Sequence, residues 1–252
     1  MIESAEVLFT PADFDALRQH DLHHTTCVVF DVLRATSSMV TALGNGAAGV
    51  IPVAHISEAV ELRRQHPDIL LGGERHGVRI RAEQSGGVDF DFGNSPREYT
   101  ADKVRGRMIV STTTNGTRAL RACAPAQAVL IGSFLNLGVT AARIRELKPG
   151  RLLVVCSGTF EIAAYEDVLA AGALCELLQA DLVPDGLADS CHVARQAYEA
   201  GRNDLLAAMR FSRNGRRLLS VPELADDVSF SLRRDAVPLV AARDAAGVVR
   251  AL

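Results

Sequence analysis

Three segments of the chain follow one plan, and that repetition limits the fold more than any single motif does. TTCVVFDVLRATSSMVTALGNGAAGVIPVA reads as an apolar strand, a polar turn, a helix, a Gly-rich stop and a second strand. GRMIVSTTTNGTRALRACAPAQAVLIGSF repeats that order. GRLLVVCSGTFEIAAYEDVLAAGALCELL opens in the same way, with a helical run beginning near Tyr165. Short apolar runs rich in β-branched residues and bounded by turn residues predict strands buried on both faces. Their alternation with helices predicts βαβ units. The expected fold is therefore α/β, a three-layer α/β/α arrangement around a largely parallel or mixed sheet. The likeness of the first two units suggests two similar lobes within one domain spanning residues 1–252.

Between the first two units lies LLGGERHGVRIRAEQSGGVDFDFGNSPREYTADKVRG, rich in Gly and turn residues and poor in helical periodicity. It reads as a long irregular stretch, of the kind that usually serves function. After Leu182 the pattern is helical, ending in a closing strand or two.

Composition narrows the partners. With a formal charge of -3 and a pI near 6.2, the chain has no basic excess to draw nucleic acid or an anionic membrane. No apolar run reaches the roughly 20 residues that span a bilayer, and the N-terminus has no signal-peptide pattern. The five cysteines are odd in number and form no CxxC, so a reduced, cytoplasmic protein is expected. A homodimer is compatible with the sequence.

In open α/β sheets, ligands bind beyond the carboxyl ends of the strands. Three polar clusters fall at such ends: Asp31 to Ser38, Ser111 to Thr117 and Cys156 to Thr159. In STTTNGT the hydroxyls and amide of Thr112, Thr113, Thr114, Asn115 and Thr117 surround Gly116 just before a helix. Amide N–H groups and the dipole at a helix start make an anion site. Plain N-capping is the competing explanation, but six polar residues in seven positions exceed what a cap needs. Asp31 reads as an N-cap, a metal ligand or a nucleophile. Arg34 reads as a fork for a carboxylate or phosphate, or as a surface ion pair. Glu74 and Arg75 sit in a Gly-flanked turn. Asn94 and Ser95 belong to DFDFGNSP, and Glu166 and Asp167 to the first turn of the third helix, where acids favour the dipole without further purpose.

Other motifs fail on spacing. There is no GxxxxGK[ST] and no GxSxG. GNGAAG follows a helix rather than opening one. HDLHH has neither the Cys pair nor the HExxH context of a zinc site. The residues alone describe an α/β protein for a small anion, with room for a divalent metal.

Taken as an ordered set, DVLRATSSMVTAL, LGGER, DFGNSP, STTTNGTRAL, VLIGSFLN, VVCSGT, YEDVLAAGAL and DDVSFSLRRDAVPLV resemble the 2-phosphosulfolactate phosphatase family. The likeness runs from about Cys27 to the C-terminus. It implies Mg2+-dependent hydrolysis of (2R)-2-phospho-3-sulfolactate to 3-sulfolactate and phosphate, a step of the coenzyme M type. FEIAAYED, after CSGT, departs from the family's pattern. Under this resemblance Asp31 binds Mg2+ or attacks phosphorus, with Arg34 and Glu74 completing the catalytic group. Thr36, Ser37, the Thr112–Thr117 loop, Asn94, Ser95, Ser157 and Gly158 contact substrate. Asp31, Glu166 and Asp167 are the expected metal ligands. A substrate with phosphate, carboxylate and sulfonate needs a further cation, for which Arg75 and Arg118 are the candidates. Two rival readings are a phosphatase of another small acidic phosphoester and a non-catalytic module that binds an anionic metabolite.

Overall fold

In the strand TTCVVF every residue is buried, because its two faces meet two different helical layers. Cys27 and Val29 join a core with Met39, Val40 and Leu120, while Val28 and Phe30 join another with Leu137, Leu169 and Leu174. The computed structural model describes residues 1–252, the side chain of Arg18 excepted. Its strands are β1 (Ser4–Leu8), β2 (Thr25–Phe30), β3 (Gly49–Pro52), β4 (Leu70–Arg75), β5 (Val78–Arg79), β6 (Met108–Thr112), β7 (Ala128–Gly132), β8 (Arg151–Cys156), β9 (Ala241–Arg243) and β10 (Val249–Ala251). They form one sheet in the order β1-β8-β2-β7-β9-β10-β3-β6-β4-β5. The α/β expectation holds: a large, mostly parallel sheet is flanked by helices.

Two parallel blocks make up most of it, β1-β8-β2-β7 and β3-β6-β4. The C-terminal hairpin β9–β10 joins them through antiparallel ladders to β7 and β3. The two similar units do not pair their own strands. The first runs from β2 in one block through the helix Ala35–Gly44 to β3 in the other. The second runs from β6 back through the helix Gly116–Ala122 to β7. The units thus cross between blocks in opposite directions.

The three antiparallel ladders reverse the second block relative to the first. Five strand steps separate β2 from β6, and a twist of about 20–25° per step accumulates to roughly 100–125°. That rotation converts opposed strands into crossing ones and lets their carboxyl ends meet. The helix starts come together there: a β-carbon on Gly116 would lie 3.0 Å from Ala35 Cβ.

The stretch read as irregular contains β4, with the sequence LLGGER, set between β6 and the two-residue outer strand β5. Its glycines hide it from a β-branched pattern, yet the packing requires one of them. A β-carbon on Gly73 would stand 2.5 Å from the Thr112 carbonyl oxygen of β6. The outer edge of β1 is covered by the segment after the third helix, with Ile2 N–H donating to Asp181 O at 2.8 Å and Ala5 N–H to Gly186 O at 2.8 Å. This cover blunts a strand edge that would otherwise template pairing. All five cysteines are free and buried. Among the described residues, no helix is long and apolar enough to cross a membrane.

Candidate functional site

A cavity of about 300 Å3 opens where β2, β4, β6 and β8 end. Asp31, Glu74 and Asp167 line it as acids, and Arg34, Arg75 and Arg217 as cations. Leu33, Val78, Phe160, Leu218, Val221 and Leu224 give it an apolar wall. Such a wall lowers the local dielectric and strengthens charge interactions inside.

Asp31 follows β2 directly. Its Oδ1 accepts the Ala35 N–H at 3.1 Å, and its backbone N–H donates to Thr36 Oγ1 at 3.0 Å. The N-cap reading and the site reading therefore coincide at one residue. Burial is the main force pushing Asp31 up to about 7. The Ala35 and Gly116 N–H groups oppose the rise, and the charges of Glu74 and Glu166 add to it. Asp167 lies at the start of the helix Tyr165–Leu178. Its Oδ1 accepts the Val32 N–H at 2.8 Å and its Oδ2 the Gly158 N–H at 3.3 Å, so it bridges the ends of β2 and β8. Burial raises it well above the ordinary carboxylate range, with Glu166 and Asp31 contributing. Glu166 is buried behind the wall. Ser212 Oγ donates to it at 2.5 Å and Asn214 Nδ2 at 2.6 Å. Burial raises it too, against those two bonds.

Glu74 closes β4. Its Oε1 accepts both the N–H and the hydroxyl of Thr114, at 3.1 and 3.0 Å, and its Oε2 accepts the Gly77 N–H at 2.6 Å. Part of the STTTNGT cradle thus already holds an anion, the protein's own carboxylate. Asn115 Nδ2 donates to Gly158 O at 3.0 Å, tying the cradle to the end of β8.

Arg34 is buried. Its Nη1 meets Asp227 Oδ2 at 2.7 Å and its Nη2 donates to Gly77 O at 2.9 Å. Asp227 sits in the helix Pro222–Ser231, fully buried, and its Oδ1 accepts from Ser95 Oγ at 2.7 Å. Arg75 is spent on neutral oxygens, with Nη1 donating to Glu74 O at 2.7 Å and Nη2 to Thr112 Oγ1 at 3.0 Å.

Of the residues singled out in the sequence, Asn94, Thr113, Thr114, Asn115 and Gly158 also line the cavity. Several others serve the frame beneath it. Ser37 Oγ donates to Val32 O at 2.8 Å and bonds Ser133 Oγ. Thr117 Oγ1 faces Thr113 Oγ1 at 3.3 Å, and Thr112 holds Arg75. Gly116 provides the close approach to Asp31. Ser157 Oγ is buried and has no hydrogen-bond partner among the described residues. Arg118 does not reach the cavity. It pairs with Asp15 and with Glu161 at the surface, stacked over Phe14.

Sequence reasoning passed over Asp227, Asn214 and Arg217. Asp227 lay within the DDVSFSLRRD string, but a single acid in a helix carries no local signal. Arg217, in FSRNGRRLL, looks like any basic surface helix.

None of Asp31, Glu74, Glu166 or Asp167 forms an ion pair with a Lys, Arg or His among the described residues. That uncompensated cluster suits a divalent cation. No group of three or more His, Cys, Asp or Glu side chains is arranged to hold an ion unaided among the described residues. Magnesium does not require one, since it is usually held by one or two carboxylates with water and substrate phosphate. Asp31 and Asp167, which both line the cavity, fit that mode.

A family model described as 2-phosphosulpholactate phosphatase matches residues 13–245. Among similar curated proteins, one from Caldanaerobacter subterraneus subsp. tengcongensis is 37% identical over 237 residues, covering 92% of this chain and 93% of the relative. One from Caldicellulosiruptor saccharolyticus is 38% identical, covering 87% and 89%. One from Thermotoga maritima is 37% identical, covering 83% and 85%. Each of the three is named a probable 2-phosphosulfolactate phosphatase.

Proposed function

Because the chain belongs to the 2-phosphosulpholactate phosphatase family, we propose that it is a phosphoric monoester hydrolase acting on 2-phospho-3-sulfolactate with Mg2+. The observation that supports this reading is the meeting, in one cavity, of carboxylates without cationic partners and arginines without enough carboxylates. Asp31 and Asp167 would hold the ion, and water and the phosphoryl oxygens would complete its shell. The ion supplies charge neutralisation at the phosphoryl group.

The chain's own groups do the remaining work. Arg75, bound only to neutral oxygens, keeps its positive charge beside the Thr113–Asn115 loop, where a phosphoryl dianion needs it. Arg34 stays oriented by Asp227 and Gly77 and presents a fixed edge to the cavity. The apolar wall limits bulk water around the reacting ester. Asp31, ionised, either remains an ion ligand or attacks phosphorus in line with the leaving oxygen. In the latter case the P–O bond to Asp31 forms as the bond to the lactate oxygen breaks, that oxygen takes its proton from a carboxyl of the cavity such as Asp167, and water then cleaves the aspartyl-phosphate, releasing phosphate and restoring Asp31.

The test is phosphate release from 2-phosphosulfolactate, phospholactate and phosphoglycolate, with and without exhaustive chelation. The expected result is turnover that disappears on chelation and returns with Mg2+. Full turnover without divalent ions removes the metal from the reading. Binding with no turnover of any ester removes the hydrolase. Equal efficiency on all esters replaces the named substrate by small acidic phosphoesters in general. Trapping phosphate on Asp31 separates nucleophile from ligand.

A further inference from the structure

Charge bookkeeping around the cavity singles out one side chain. Three arginines line it, and they are not equivalent. Arg34 is neutralised by buried Asp227 at 2.7 Å. Arg75 has both Nη atoms engaged by Glu74 O, Thr112 and Ala54 O. Among the described residues Arg217 has a single side-chain hydrogen bond, from Nη2 to the His76 carbonyl. It makes no ion pair among them, and its Nη1 and Nε donate to none of them. It projects from the exposed face of the helix Arg213–Leu219 and lines the cavity beside the apolar residues Leu218, Val221 and Leu224. Arg118, one of the two cations expected from sequence alone, is already paired with two carboxylates outside the cavity.

We propose that Arg217 is the specificity residue that pairs with the second strong anion on the substrate's alcohol portion, the sulfonate of 2-phosphosulfolactate. The inference rests on the functional reading above. A guanidinium with a free edge beside an apolar wall is suited to a weakly hydrated, non-reacting oxyanion: it can donate two N–H groups with little desolvation of its own. In this reading the reacting phosphoryl group falls to Asp31, Asp167 and the Thr113–Asn115 loop, and the sulfonate to Arg217. The carbonyl of His76 sets the orientation of Arg217, and the adjacent Gly77 admits it: a β-carbon there would stand 3.1 Å from Arg217 Nη2.

The experiment compares kcat and KM of the full-length wild type, Arg217→Ala and Arg217→Lys on three esters: 2-phosphosulfolactate, 2-phosphomalate and 2-phospholactate. On the carbon next to the ester-bearing one these carry sulfonate, carboxylate and only hydrogen, the last making it a methyl group. The wild type is expected to prefer the two charged esters. Arg217→Ala should reduce the sulfonate-to-methyl ratio of kcat/KM by about 10- to 150-fold, the effect of losing one charge-assisted pair. Most of the loss should appear in KM, because the sulfonate does not react. Arg217→Lys should recover part of the ratio as a point charge. Melting temperatures of the variants check that the fold is intact.

An equal loss on all three esters would overturn the proposal, since Arg217 would then act only through the His76–Gly77 turn and Glu74. An unchanged ratio would also overturn it. A wild type that hydrolyses phospholactate as well as the charged esters removes this proposal but leaves the phosphatase. A wild type that hydrolyses none of the three removes the phosphatase reading, and this inference with it.

Discussion

Asp31 and Gly116 exclude any larger neighbour from each other: a β-carbon at position 116 would lie 2.8 Å from Asp31 Oδ2. The acid that ends one strand is thus seated against the helix that follows another. Gly116→Ala should reduce kcat/KM by at least about 10-fold while the fold survives. The added methyl displaces the carboxylate, a shift of the size that costs such factors. Alanine's better helix propensity, about 1 kcal/mol, offsets part of the crowding. Steady-state kinetics beside a melting curve check this, and unchanged kinetics would show that Asp31 tolerates movement.

Asp31→Asn should lower the rate by at least about 100-fold, because it removes a charge and a nucleophile together. Its effect on stability is a matter of pH. In the chelated protein, Asp31 lies up at about 7, against an ordinary 3.8. A carboxyl raised on folding stabilises the native state while it is protonated. Its contribution is complete below about pH 4 and is lost as pH climbs through about 7. The melting temperature of the chelated wild type should therefore fall relative to that of Asp31→Asn across this window. Asp167 and Glu166 are raised in the same direction, so the variant keeps some of the slope. Parallel curves for the two proteins would count against a raised Asp31.

Removing the partner of Arg34 should be costly. Asp227→Ala strands a buried guanidinium and is expected to destabilise by about 3–5 kcal/mol. Urea unfolding measures it. Asp227→Asn, which can still accept one N–H, should cost less. Arg34→Lys should also fail to restore wild-type kinetics. An ammonium cannot span both Asp227 Oδ2 and Gly77 O as the planar fork does.

Arg118→Ala tests a different placement. The side chain is about one-third exposed and joined to Asp15 and Glu161 at the surface. Its loss should cost no more than about 1 kcal/mol and leave KM for every ester within error of wild type. A selective rise in KM for the sulfonated ester would return Arg118 to the substrate.

The readability of this chain follows the range of its interactions. TTCVVF, MIVST and RLLVVC announced themselves because burial on both faces demands continuous apolar residues. LLGGER did not, because packing against Thr112 replaced a β-branched residue with Gly73. Asp31 was visible as an acid where a strand must end. The STTTNGT loop was visible too, but not that Glu74 from a strand 40 residues away would occupy part of it. Asp227 was hidden for the same reason: its partner Arg34 is 193 residues distant, and nothing local in the helix distinguishes it. Arg118 shared a string with real cavity residues, yet one helical step turned it towards Asp15.

The hairpin β9–β10 lies between two blocks that are both synthesised before it. A nascent chain that has not yet delivered residues 241–251 has already made β7 and β3, each with an unsatisfied inner edge. Such edges recruit any strand at hand, including those of neighbouring nascent chains. A chain interrupted before residue 241 is therefore expected to associate through these two edges rather than to close the sheet. Union of the two blocks is decided at residues 241–251, far in sequence from Asp31.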